Sequence, residues 1–391
     1  MAGTAGIGVR VVPVLRGWLA AYAVPLQVFV ITRLGLELLT YFGLIFIPVA
    51  PDVRRAYPSN LWLDGWVRWD AGWYFSIVSH GYTTAPQNAF GQTNTAFFPL
   101  YPLVIWLAKH VIGQHPFITG LIVSNAAFLG ALILLYRLVG DHYGRTIATR
   151  TLILLAIFPF AFYFSTMYSE SLFLLAVVAA FFFGERQRWL LAGLCAAAAG
   201  ATRLVGVLTI LGLAVLYLEH VGFRWRKVRM DILWLLVGFV GPGAFMAYLA
   251  VHTGDPLQFA KAQLVPHWLR DLGPARAWAT LTSVFSRYAL LAGAFPAMHF
   301  VHLLLVPPAL LLAVACWRRP RVSYAVWAVA TLIAALPAWH GTGRYVATTF
   351  PLFIVAALLL QDERRFQVVA FMSILFLALF TLVFTHGYWV A

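Results

Sequence analysis

Only 13 of the 391 residues are Asp or Glu, and three of these, Asp52, Asp64 and Asp70, fall within one aromatic-rich stretch. Asp70 stands out by its context, RWDAGWYFSIVSHGY (68–82), with Trp69, Trp73 and Tyr74 around it. A carboxylate at a membrane surface can take a proton from a hydroxyl. Aromatic rings beside it can anchor a helix at headgroup level or stack on a sugar face. The plainer alternative is that Asp70 pairs with Arg68 or caps a helix, with the aromatics only an interfacial belt. Glu170, in STMYSESLF (165–173), is a second carboxylate. That turn could equally need only an N-cap, which Ser169 or Ser171 would supply.

Two arginines complement these acids. Arg203 lies in ATRLVG (201–206) and Arg344 in WHGTGRYVATTFPLF (339–353), each expected in a short turn at shallow membrane depth. An arginine there can snorkel with no further role, or grip a phosphate through its planar fork. His340 is another polar candidate, though a lone histidine is more often structural. Arg33 and Glu37 sit four apart within an apolar stretch, on one helix face where they can pair. Ionisable groups at such depth usually face a cavity or the bundle interior. Asp64, Asp70 and Glu170 have no metal-ligand spacing, and Cys195 and Cys316 lie apart in apolar segments. We therefore expect no metal, no cofactor and no disulfide framework.

The elements that must position these residues follow from composition. Hydrophobic residues make up 62% of the chain and charged ones 10%, against about 25% charged in soluble domains. Apolar runs of helix-spanning length recur from end to end, and continuous runs of about 17–25 residues call for helices. The reading is an all-α, polytopic integral membrane protein of one domain, 1–391, with about eleven spans. These are 20–49, 116–138, 147–164, 168–184, 189–203, 204–218, 231–252, 297–317, 322–339, 346–361 and 366–386. The first run follows Arg10 and Arg16 and continues to about residue 49, too long for a cleaved signal segment.

The net charge of +14 fits basic inside loops better than nucleic-acid binding. Arg137, Arg145, Arg150, Arg186, Arg188, the 224–229 run, Arg318, Arg319, Arg321, Arg364 and Arg365 then face inward. Two long stretches, 50–115 and 253–296, fall together outside. Long connections in compact domains are usually functional. FFPLYPLVIWLAKHVI (97–112) reads as an interfacial or half-inserted helix.

WVRWDAGWYFSIVSHGY followed by AFFPLYP (96–102) resembles the start of the PIG-V mannosyltransferases, multi-span enzymes of the GT-C class. FPFAFYFSTMYSESLF (158–173), ATRLVG and GRYVATTFPLF (343–353) agree in order, and GDPLQFAKAQLVPHW (254–268) is a less specific match. The resemblance covers about residues 60–355. It implies transfer of mannose from a polyprenyl- or dolichyl-phosphate carrier, a co-substrate and not a cofactor, to a glycolipid or glycan hydroxyl. It places Asp70 as the general base; attack from the face opposite the phosphate would then invert the configuration, and the leaving phosphate needs positive charge, which we assign to Arg203 and Arg344. Arg68, Trp69, Trp73, Tyr101, Glu170, His340 and Tyr345 become substrate-contacting candidates. An Arg-rich chain of this length looks bacterial, which places it in the plasma membrane with its site on the periplasmic or extracellular side. The alternatives are a lipid-linked sugar flippase, a structural partner of a glycosylation complex, or a GT-C enzyme using another sugar. Against a flippase, no inverted repeat is visible.

Overall fold

A computed structural model describes residues 8–264, 294–336 and 341–390. Among the described residues every regular element is helical, as expected. The α-helices of seven or more residues are α1 (Gly8–Phe46), α2 (Ala71–His80), α3 (Leu100–Ile112), α4 (Pro116–Ala156), α5 (Glu170–Glu185), α6 (Trp189–Thr202) and α7 (Leu208–His220). They continue as α8 (Val240–Thr253), α9 (Ala294–Ala315), α10 (Val322–Ala335), α11 (Thr342–Thr348), α12 (Pro351–Leu359) and α13 (Glu363–Thr385).

Among the described residues, five helices are long and apolar enough to cross a membrane, or up to six if α11 and α12 form one bent span. The chain is a multi-pass membrane protein. The expected count of about eleven spans is not confirmed by helix length: α5, α6, α7 and α10 have 16, 14, 13 and 14 residues, short of the about 20 of a typical span. The 97–112 segment forms α3, 13 residues long. The 231–252 stretch begins as 3₁₀ turns, Met230–Phe239, before α8.

Two breaks shape the interior. The expected 116–138 and 147–164 spans run together as α4, interrupted at Gly144, whose φ of 78° only glycine adopts freely. The second span then stops at Ala156, eight residues early. Pro159 accounts for this, because its ring lacks an N–H and clashes with the carbonyl four residues back. The chain passes instead through a short 3₁₀ turn, Ala161–Ser165, with Phe160, Phe162, Phe164 and Met167 fully buried. Arg33 of α1 serves this break. Its Nη2 donates to the Ala156 carbonyl at 3.1 Å, and its Nη1 to the Ala161 carbonyl at 3.1 Å and Ser165 Oγ at 2.9 Å. The expected Arg33–Glu37 pair therefore does not form. Arg33 instead satisfies carbonyls that neither lipid nor helix would reach.

The second break separates α11 from α12, which meet at 76°. Pro351 opens α12, a position where a missing N–H costs nothing. Arg344, expected in a loop, thus sits on a short helix of its own.

Candidate active site

The turn carrying Asp70 is braced from both sides. Asp64 is buried and accepts from Arg55 Nε at 2.8 Å, Arg68 Nη2 at 2.8 Å and the Tyr57 backbone N–H at 2.9 Å. Burial pushes the Asp64 carboxyl upward, but the bonds from Arg68, Tyr57 and Arg55 outweigh it and hold it below the usual carboxylate range. Arg68 also donates through Nε to the Thr385 carbonyl at 3.0 Å, tying this segment to α13. Next along the chain, Trp69 takes a φ of 49°, a left-handed conformation uncommon for a bulky residue. Tyr168 spans the turn: its hydroxyl accepts from the Asp70 N–H at 3.1 Å and donates to the Arg68 carbonyl at 3.3 Å. This arrangement leaves Trp69 49% exposed beside Asp70.

Asp70, Glu170, Arg203 and Arg344, drawn from four separate parts of the chain, meet in one network. Arg344 donates through Nη1 to Asp70 Oδ2 at 2.8 Å and through Nε to Glu170 Oε1 at 2.5 Å. Arg203 donates through Nη1 to the same Glu170 oxygen at 2.5 Å. The side chain of Glu170 is wholly buried, Arg203 and Arg344 are 13% and 14% exposed, and Asp70 is 22% exposed. Arg344 lies over the rings of Tyr163 and Tyr168, at 5.2 and 4.8 Å, and Arg203 over Tyr345 at 5.0 Å. Two glycines permit this closeness. A Cβ on Gly343 would lie 2.5 Å from the Phe160 ring, and one on Gly206 would strike the Ala199 backbone at 2.2 Å.

The chemistry of the network is asymmetric. Glu170 is buried between two guanidinium groups, and its Oε1 accepts from both, which holds the arginines in place. Asp70 keeps an open edge and can accept a proton. Arg203 and Arg344 keep further N–H donors with no bonded partner among the described residues, and these suit an anion arriving at the cluster. Among the described residues no three His, Cys, Asp or Glu side chains come together as a metal site.

Several expectations change at this point. Asp70 stands at the N-cap position of α2 without a side-chain cap bond, and its partner is Arg344, not Arg68. Neither Ser169 nor Ser171 caps α5; the Ser171 hydroxyl donates to the Phe164 carbonyl at 3.0 Å. Arg68, expected at the substrate, is buried against Asp64 because a paired guanidinium satisfies an otherwise costly buried carboxylate. Tyr101 is fully buried with its hydroxyl 2.7 Å from Ser124, and Tyr345 is buried under Arg203; both build walls. Trp73 stacks on Phe97 at 5.9 Å and stays half-buried. His340 and most of the 253–296 stretch lie outside the described residues.

Sequence reasoning missed Tyr163, Tyr168 and His302. His302 of α9 is buried, with Nδ1 accepting from the Gly343 N–H at 3.1 Å and Nε2 donating to the Val390 carbonyl at 2.6 Å. One partner can only donate and the other only accept, so the ring is held neutral with its proton on Nε2. It fixes the residue next to Arg344. Nothing in the local sequence marks it, since its partners lie 41 and 88 positions away.

The comparisons with known proteins follow the same residues. The family model for mannosyltransferase (PIG-V) matches residues 50–225, which include Asp70, Glu170 and Arg203. Residues 50–225 are similar to that family. The resemblance is thereby borne out over that part of the chain. Among solved structures, ArnT from Cupriavidus metallidurans in the apo state is similar with a TM-score of 0.51 and 16% identity, covering 91% of this chain and 62% of that one. The same protein bound to undecaprenyl phosphate gives a TM-score of 0.50 and 15% identity, covering 90% of this chain and 62% of that one. At such identities the likeness is one of fold, and the fold is similar to that of ArnT. The chain spans about 62% of the length of these ArnT structures. No curated protein matches it.

Proposed function

We propose that this chain is a membrane glycosyltransferase that moves mannose from a polyprenyl- or dolichyl-phosphate carrier to a hydroxyl of a glycolipid or glycan. The observation that carries the reading is the Arg344 bridge, which joins a partly open carboxylate, Asp70, to a buried one, Glu170. The PIG-V match supports mannose as the sugar. The ArnT structure bound to undecaprenyl phosphate supports a lipid-phosphate carrier.

In this scheme Asp70 accepts the proton of the acceptor hydroxyl as its oxygen attacks the anomeric carbon. The sugar–phosphate bond breaks on the opposite face, so the configuration inverts without a covalent sugar intermediate. The leaving lipid phosphate is already an anion and needs positive charge more than a proton. Arg203 and Arg344 supply it through their remaining N–H groups, and metal independence follows from that assignment. Trp69 and Trp73 present indole surface for a sugar ring. By the positive-inside distribution, the site faces away from the basic loops, on the outer side of the plasma membrane.

The test is a transfer assay in proteoliposomes with polyprenyl-phosphate-mannose and an acceptor membrane extract. Asp70→Asn is expected to lower turnover by at least about 100-fold, the low end of general-base contributions, with the protein still folded. Near-normal turnover would remove Asp70 from the base role. Movement of intact carrier lipid with no transfer would make the chain a flippase.

A further inference from the structure

A mostly apolar cavity with a few polar groups lies apart from Asp70, Glu170, Arg203 and Arg344, none of which lines it, and the proposed reaction does not use it. It has a volume of about 270 Å³ and is lined by Arg33 and Glu37 of α1, Trp62 and Trp66 of the 50–115 stretch, and Asn125 and Ser165, with Leu63, Ile118, Leu121 and Ile122 completing it. Trp66 and Ser165 also begin the two segments that lead to Asp70 and Tyr168, so the cavity shares a wall with the active site.

Glu37 is the feature needing an explanation. It is an ionisable group on a membrane helix, half-buried, with no ion pair among the described residues. Its nearest candidate, Arg33, spends its guanidinium on the carbonyls of Ala156 and Ala161 and on Ser165. The buried Trp66 indole N–H faces Glu37 but has no hydrogen bond of normal geometry. Asn125 uses its amide NH₂ on the Leu121 carbonyl at 2.9 Å, leaving its oxygen as an acceptor. Groups of this kind inside a membrane are usually retained for function.

The lining selects its ligand by charge. A cation would meet Arg33, and an anion would meet Glu37. A neutral molecule bearing many hydroxyls meets acceptors in Glu37 and Asn125 and indole surface in Trp62, which is 44% exposed. Trp62 is itself held in place by stacking on Tyr41 at 4.1 Å. The volume lies just under the about 300 Å³ at which small-molecule pockets begin, so it suits one sugar ring and not a chain of them. We propose that this cavity binds the single-sugar headgroup of a neutral glycolipid, entering from the bilayer between α1 and α4.

The experiment uses full-length protein in nanodiscs containing monoglucosyl diacylglycerol, diacylglycerol or phosphatidylethanolamine in a phosphatidylcholine background. Bound lipid is counted by native mass spectrometry. Wild type and Asp70→Asn are expected to retain the glycolipid over both other lipids, so the readout stands whether or not the chain transfers sugar. Glu37→Ala should lower retention by about tenfold or more, in keeping with losing hydrogen bonds to a charged group. Glu37→Gln, which keeps the shape and an acceptor, should recover part of it. Equal retention of diacylglycerol, preference for phosphatidylethanolamine, or retention unchanged in both Glu37 variants would each overturn the proposal.

Discussion

The helix α5 begins and ends with a buried glutamate, and its two ends have different characters. At one end, Glu185 receives His142 Nε2 at 3.4 Å, Arg321 Nη2 at 3.0 Å and the Tyr324 hydroxyl at 3.0 Å. All three partners converge on that single acid, binding the α4 break and the start of α10 to α5. At the other end, Glu170 also collects cations, but Arg344 reaches past it to a second acid, Asp70, that is open at 22%. A cluster that only had to hold helices together would have no need of the second, exposed carboxylate. Burial alone does not separate these ends, since the two glutamate side chains are 0% and 3% exposed. What separates them is the kind of group each network leaves exposed: at the Glu185 end only His142 and Arg321, 31% and 30% exposed, and at the Glu170 end a carboxylate, Asp70.

That contrast can be broken most sharply with a pair of variants. Arg344→Gln should lower transfer by about 100-fold or more, the scale of losing one charge-stabilising donor. Glu185→Gln should leave the turnover of folded protein within about threefold of wild type but destabilise it by about 1–3 kcal/mol, the scale of losing hydrogen bonds to a charged group. Transfer assays and thermal unfolding of the two purified proteins decide it. Equal losses of turnover would dissolve the distinction between site and bracket.

A smaller effect is expected from Tyr168→Phe, which removes only the hydroxyl that spans the Trp69 turn. Turnover should fall by up to about 100-fold, the scale of a misplaced catalytic group, with donor KM little changed. His302→Leu should act more weakly, about tenfold on transfer, because it loosens Gly343 rather than Arg344 itself. His302→Asn, which can still accept a bond, should restore part of the loss. A KM effect without a kcat effect in either residue would mean that it shapes donor binding instead of positioning.

The smallest effect concerns stability and pH. Asp64 is held below its ordinary range when folded. Its contribution is therefore fully present above the unfolded value of about 3.9 and is lost as pH falls through the lower folded value. Thermal unfolding of wild type should drop on acidification below about pH 4, while Asp64→Asn should start lower and change less over that window.

Much of the molecule was legible in its residues. The apolar runs demanded membrane helices, because a backbone in lipid must satisfy its own hydrogen bonds. WDAGWY, YSESLF, ATRLVG and GRYVATT were each conspicuous as polar or glycine-bearing words in an apolar chain. Less visible was where helices stop: Pro159 ends α4 early, yet hydropathy reads straight through it. Arg33 was equally misleading, since the four-residue spacing to Glu37 suggests a pair, whereas the carbonyls at Ala156 and Ala161 take the guanidinium.

By itself the sequence determined the class of the protein, its membrane setting and the charged residues available for chemistry, because these depend on composition and on local words of a few residues. Only the tertiary structure decided which of those charges meet. Arg68 and Arg344 are alike in the sequence, each an arginine beside aromatic residues, but one closes on Asp64 and the other joins Asp70 to Glu170. Arg344 lies 274 and 174 positions from its two acids, and His302 lies 41 from the glycine it holds. Pairings at such separations follow from helix packing and from two proline-directed breaks, and no periodicity or spacing along the chain encodes them.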